Sequence, residues 1–302
     1  MSIMKDSAAK PPKIEYPPHL KWMLKRALDD PEAFWGEVAE ELYWFRRWDK
    51  VFEWTYPNFS WFKGGTTNIS HNCLEYQIKK GRGNHAAIIY ENGEGLPARV
   101  LTYNQLIHNV EKFASALKAL GVNKGDRVTI YMPMVPEAAV AMLATTRIGA
   151  IHSVVFGGFG YGALAERIAD AESRLVVTAD VGYRRGKEVN LKEVVDSALK
   201  SDTNVKRVIV LKRGSKDPAM ISGRDMFWEE AIEKGRGTTA HIEYMRAEDP
   251  HQPELVFPLH QLFQHRYREV ESLQNQALSA IERFRRDCLA LGHYSRSATC
   301  DQ

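Results

Sequence analysis

Ile151 to Lys187, IHSVVFGGFGYGALAERIADAESRLVVTADVGYRRGK, decides the fold. It reads as strand, glycine turn, helix, strand and basic loop. That order is a βαβ unit, because parallel strands need a crossover connection. IHSVVF lacks polar alternation, as expected of a strand covered on both faces, and RLVVTAD repeats the pattern after an amphipathic helix from Ala163 to Ala171. Ligands of open α/β sheets sit at the carboxyl ends of such strands. Two candidate elements stand there: the glycine turn Gly157 to Gly162, and the cluster Arg184, Arg185 and Lys187.

Strands alternate with helices outward from this unit. AAIIYENG and ARVLTYNQL read as two strands around a loop holding Asn92, Gly93 and Gly95, followed by a helix from Leu106 to Leu120 that Gly121 caps. DRVTIYMPM is a buried-type strand stopped by Pro133 and Pro136, and PEAAVAMLATTRIGA is a small-residue helix ended by Gly149. Further on come a helix over Leu191 to Leu199, the strand VKRVIVLKR and a helix over Met226 to Lys234. The expected fold class is therefore α/β with a parallel sheet and flanking helices.

Upstream, residues 1–50 form an expected N-terminal extension. Met1 to Pro18 is a proline-bearing, mobile lead-in. Asp30 and Pro31 open a helix, PEAFWGEVAEELYWFRRW, with Phe34, Trp35, Val38, Leu42 and Phe45 on one stripe, an aromatic density best explained by packing. Trp54 to Cys73, rich in turn formers, reads as irregular structure draped on the main domain of residues 51–250. Composition changes at Asp249-Pro250. No lysine follows Lys234, and Gly292 is the one glycine beyond Pro250. In residues 251–302 only Tyr267 to Leu291 carries a helical stripe, through Val270, Leu273, Ala277, Ile281, Phe284 and Cys288.

A chain of 302 residues buries roughly three quarters of its unfolded surface and needs no disulfide or metal staple. With 41 basic and 38 acidic residues the net charge is only +3, which argues neither for nor against a polyanionic partner. Three cysteines without framework spacing fit a reducing cytoplasm, and neither a leader-type apolar region nor a membrane-length run is present in the sequence. A cytoplasmic protein that binds no nucleic acid and no membrane is expected.

From about Trp22 to Pro250 the sequence resembles the N-terminal part of AMP-forming acetyl-CoA synthetases and their short-chain acyl relatives, in the adenylate-forming superfamily. The resemblance is carried by GVNKGDRVTIYMPMVPEAAVAMLATTRIGAIHSVVFGGF and by WFKGGTTNISHNC, with Thr67 where leucine is usual and Glu75 where aspartate is usual. Gly160, Tyr161 and Gly162 stand where the family tends to have Ser-Pro at a helix start, a loss of about 1 kcal/mol of local stability. The resemblance implies the first subdomain of that fold, incomplete, with a helical tail. It also implies ligation of acetate or another short-chain acid to coenzyme A through an acyl-adenylate, with ATP and Mg2+ in the parent family. The family's CoA-contacting element falls on Arg184, Arg185, Gly186 and Lys187, where cations beside a permissive glycine suit a phosphate-bearing ligand. Lys187 replaces an arginine, exchanging a bidentate fork for a point charge.

The family's Ser/Thr/Gly-rich ATP-phosphate loop is expected just after Pro250, where HQPELVFPLHQLFQHRYREVE has neither glycine nor lysine. No catalytic residue is therefore assigned, and the chain is expected to be inactive alone. The tail is expected to be either an unrelated fusion or a frameshifted continuation, because reading Leu255 to Gln261 one nucleotide over permits Leu/Trp-Phe-Phe-Leu-Tyr-Thr-Ser, which is similar to the family's lead into that loop. A missing second half, or self-association, is the corresponding partner expectation.

Three other readings are open at this level. Gly158, Gly160 and Ala163 fit G-x-G-x-x-A, with Asp180 about 20 residues on, as in an NAD-binding oxidoreductase. His251, His260, His265, Cys288 and Cys300 could hold zinc, although they lack finger spacing. The third reading is a non-catalytic interaction fragment with an exposed apolar face.

Overall fold

The computed structural model describes residues 16–55, 58–91, 98–184, 187–201 and 204–250. The lead-in up to residue 15, the Asn92-Gly93 loop, Arg185 and Gly186, the tail helix and the five proposed zinc ligands lie outside the described residues.

Chain order begins with α1 (Pro18–Asp29), α2 (Pro31–Ala39), β1 (Lys50–Thr55), β2 (Asn58–Lys63), β3 (Thr66–Thr67), α3 (Ile69–Cys73) and α4 (Glu75–Gln77). It continues through β4 (Ala86–Tyr90), β5 (Arg99–Thr102), α5 (Tyr103–Ala119), β6 (Arg127–Tyr131), α6 (Pro136–Arg147), β7 (Ile151–Val154), α7 (Tyr161–Asp170) and β8 (Leu175–Ala179). It closes with β9 (Val181–Arg184), β10 (Lys187–Asn190), α8 (Leu191–Ala198), β11 (Arg207–Leu211), β12 (Asp225–Phe227), α9 (Trp228–Lys234) and β13 (Met245–Arg246).

Five strands form a parallel sheet in the order β12-β11-β8-β6-β7. β8 is buried at every position, and so is Val208 to Leu211, which explains their unbroken apolar runs. α5 packs on α6 and α9, whereas α7 packs on α8, so two helical layers cover the sheet. Leu106, Val110, Phe113 and Leu117 form the inward stripe of α5, and Phe113 stacks on Trp228 with centroids 3.9 Å apart. α6 offers Ala138, Ala141 and Ala144 instead, so its backbone approaches closely. Thr102 and Gln105 close a capping box at the start of α5, and Gly121, at φ +87°, ends it as expected.

Several elements differ from the sequence reading. β7 and β8 are parallel as expected, but they do not pair: β6 lies between them. α2 ends at Ala39, short of Leu42 and Phe45, because the Trp44 indole donates to Ala39 O and the Phe45 N–H is drawn to Thr66 O. Trp54 to Cys73 is ordered into β1, β2, β3 and α3, with β3 clipped antiparallel to β13. Met226 and Phe227 extend the sheet as β12 and do not belong to α9. α1 is a helix where none was expected, although Leu20, Leu24, Ala27 and Leu28 recur at helical spacing behind its first-turn proline. The aromatic residues of this N-terminal region pack on one another, with Trp35 against Trp61 and Trp44 against both Trp48 and Phe62.

Candidate functional site

The strand order fixes where a ligand crevice opens. From β6 the chain steps outward to β7, returns across β6 to β8, and then proceeds through β11 to β12. The direction of winding therefore reverses between β6 and β8, and such a switch point leaves a crevice at the carboxyl ends of its strands.

Met132 and Pro133 leave the end of β6 at this crevice, and both sequence-predicted elements pack on them. A Cβ at Gly157 would lie 3.1 Å from Met132 O, and one at Gly182 would lie 3.5 Å from Pro133 Cβ. The glycine turn and the basic segment thus share one rim. The Tyr131 hydroxyl donates to Phe159 O at 2.7 Å and anchors the turn from below, and burial pushes that phenol's pKa up, keeping it a donor. Phe156 remains 63% exposed, with Tyr161, Met134 and Phe159 also open to solvent. The Arg167 guanidinium lies 4.8 Å from the Phe159 ring centroid.

The expected basic loop is a hairpin. β9 and β10 pair antiparallel, bringing Lys187 directly opposite Arg184 and Glu188 opposite Tyr183. Lys187 is exposed. Arg213 sits 5.3 Å from the Tyr183 ring centroid and adds a further cation on this side.

Asp180 builds the root of that hairpin. Its carboxylate accepts from the N–H groups of Val181 at 2.6 Å, Arg213 at 2.8 Å and Gly214 at 2.9 Å. Its carbonyl accepts from Leu191 and Lys192 at the start of α8. One residue, 2% exposed, therefore ties the exits of β8 and β11 to the hairpin and the next helix.

These facts overturn the dinucleotide reading. Its acidic residue should be free for a ribose, whereas the Asp180 carboxylate is buried and already bound by three amides. Its glycine turn should follow a central strand that pairs with the next one, whereas β7 is at the sheet's edge and pairs with β6 alone. Gly160 also faces open space and needs no close backbone approach. Among the described residues no group of three or more His, Cys, Asp or Glu side chains could hold a metal ion.

The sequence singled out Arg184, Lys187 and the glycine turn, and the structure sets Phe156, Met132, Pro133 and Arg213 around them, none of which the sequence had marked as a candidate. Phe156 was read as part of a buried strand. The strand's end at Val154 leaves its ring outside the sheet.

Comparison with known proteins places this geometry in context. The family described as AMP-binding enzyme matches residues 74–255, and the family described as acetyl-coenzyme A synthetase N-terminus matches residues 20–73. Acetyl-coenzyme A synthetase of Rubrobacter xylanophilus is 47% identical over 225 residues, covering 74% of this chain and 35% of its own length. The Deinococcus radiodurans protein of the same name is 48% identical over 211 residues, covering 70% of this chain and 32% of its own. Among solved structures, acetoacetyl-CoA synthetase from Streptomyces lividans superposes with a TM-score of 0.68 at 25% identity, over 76% of this chain and 34% of that one. The chain spans about a third of the length of the relatives it matches. Its fold is the N-terminal adenylate-forming subdomain, and the chain belongs to the AMP-binding enzyme family.

Proposed function

We propose that the chain is the front portion of an AMP-forming ligase joining a short-chain carboxylate to coenzyme A, and that its own rim binds the coenzyme. The observation that carries this reading is the convergence of the β9–β10 hairpin and the glycine turn on Met132 and Pro133. Lysine and arginine cations flanking Gly186 in the sequence suit phosphate oxygens, and the exposed rings of the glycine turn suit a planar base. Arg184, Arg185, Gly186 and Lys187 form the phosphate-facing part of this proposal, and Phe156 the stacking part.

The chain alone carries out neither half-reaction in this proposal. Residues 251–261, where the family's phosphate loop begins, contain neither glycine nor lysine, and the family match stops at residue 255. ATP and Mg2+ would then be held by a complementary second polypeptide, in the cytoplasm. Among the described residues no helix is long and apolar enough to cross a membrane.

Calorimetric titration of the full chain with coenzyme A tests the reading. Saturable binding, weakened about tenfold by Arg184→Ala and by Lys187→Ala, is the expected result. A folded chain that takes up no coenzyme A, or binding indifferent to both substitutions, would refute it.

A further inference from the structure

The register of the β9–β10 hairpin assigns its residues to two faces. Directly opposed residues of an antiparallel pair share a face and neighbours alternate, so positions 184 and 187 lie on one face and positions 183 and 188 on the other. Gly182 belongs to the first face, and a Cβ there would lie 3.5 Å from Pro133 Cβ. Val181 belongs to the second, and a Cβ at Gly214 would lie 3.2 Å from its Cγ2. The positions of Arg184 and Lys187 therefore lie on the side of Pro133 and the glycine turn, and the exit of β11 backs the opposite face.

A two-stranded ribbon is marginal by itself, so this one needs holding. Its root is buried at Val181 and Gly182, whereas Tyr183, Lys187 and Glu188 are open to solvent. Arg213, leaving β11, spans the opposite face. Its backbone N–H donates to Asp180 Oδ1 at 2.8 Å, its Nη1 donates to Val181 O at 3.3 Å, and its guanidinium lies 5.3 Å from the Tyr183 ring centroid. Its Nη2 reaches the Tyr90 hydroxyl at 3.5 Å, at the far limit of a hydrogen bond. One side chain thus meets β9 at Val181 and at Tyr183 and ties it toward the end of β4.

Charge and shape make different demands on this residue. A cation behind the hairpin acts on phosphates in front of it only through a screened field, and a lysine would supply that field as well. A planar guanidinium packs against an aromatic ring in a way that a compact ammonium does not. Given the coenzyme site proposed above, we infer that Arg213 is a positioning residue of that site. Its guanidinium braces Tyr183, and through it the β9–β10 hairpin, against the exit of β11, so that the cations of the other face are in place before the ligand arrives. A hairpin without the brace spends less time in the binding geometry, and apparent affinity falls in proportion to the fraction that keeps it.

The test compares Arg213→Gln, Arg213→Lys, Tyr183→Leu and the Arg213→Gln, Tyr183→Leu double variant in the full chain. All four leave the Arg213 N–H on Asp180 in place. Without ligand, amide exchange at Gly182, Lys187 and Val189 should rise about tenfold in each, while exchange in β8 and β11 and the urea midpoint stay as in the parent. In calorimetric titration, coenzyme A binding should weaken about tenfold in Arg213→Lys as in Arg213→Gln, and the double variant should lose no more than either single one. Hairpin exchange that is unchanged in Arg213→Gln, or that rises through β8 and β11 alike, overturns the brace whatever the ligand does. So does affinity kept in Arg213→Lys but lost in Arg213→Gln, the mark of a charge acting on the phosphates, and so do losses that add in the double variant. A parent chain that takes up no coenzyme A ends the coenzyme reading, and the brace is then judged by exchange in the ligand-free chain.

Discussion

Replacing Asp180 by alanine distinguishes a hairpin root from a ribose ligand. The substitution removes the acceptor of three backbone N–H groups, those of Val181, Arg213 and Gly214, at a position closed to water. Each orphaned buried donor costs about 1–3 kcal/mol, and part of that cost is relieved where the loop loosens enough to admit solvent. A loss of about 3–5 kcal/mol is expected, and at about 2–4 °C per kcal/mol for a domain of this size the melting temperature falls by about 10 °C. Asp180→Asn keeps one acceptor oxygen but turns amide hydrogens toward a donor, so it lies between the two. Urea unfolding of the full chain measures the loss, and amide exchange at Val181 and Gly214 locates it. An alanine variant within about 1 kcal/mol of the parent would refute the reasoning. NADH binding by the parent that disappears in an equally stable variant would restore the dinucleotide reading.

Lys192, 1% exposed, bridges Asp196 at 2.7 Å and the buried Asp225 at 2.8 Å, so Lys192→Met should cost about 3 kcal/mol by chemical denaturation. Burial opposes ionisation of Asp225, but Arg224, the Ile221 N–H and Lys192 outweigh it and hold its pKa below the ordinary carboxylate range. Its contribution is therefore complete above about pH 4 and is lost as pH falls through the depressed value, and an acid-unfolding series on Asp225→Asn should show a flatter limb there. His71 has its pKa lowered by burial, so the unfolded chain takes up the proton first and stability falls as pH drops below about 6.5. In His71→Gln that slope just below about pH 6.5 should shrink, as measured by melting temperature against pH. At the start of α7, Gly160 is a cap without a side-chain bond, and a Cβ at Gly160 or Gly162 meets nothing. Gly160→Ser with Gly162→Ala should add about 1 kcal/mol, read as a rise of about 2–4 °C.

The parallel sheet was legible because β8 and β11 are buried on both faces and so carry unbroken apolar runs. The Asp30 cap and Gly121 also act locally, and the structure places them as expected. What could not be read were choices made by distant partners. β6 inserting between β7 and β8 depends on which strand edges meet, and a local βαβ pattern does not encode that. Trp54 to Cys73 looked irregular because its order comes from remote bonds, such as Asn68 Nδ2 to Thr146 O and to Glu243 O. The basic cluster was visible by residue type, but its geometry as a hairpin rooted on Asp180 was not.

The most direct test is to supply the purified 302-residue chain with ATP, Mg2+ and acetate, follow pyrophosphate, and titrate coenzyme A in parallel. A front portion with a coenzyme rim but no grip on a triphosphate should bind coenzyme A and release no acetate-dependent pyrophosphate. Acetate-dependent release by this chain alone would contradict the account.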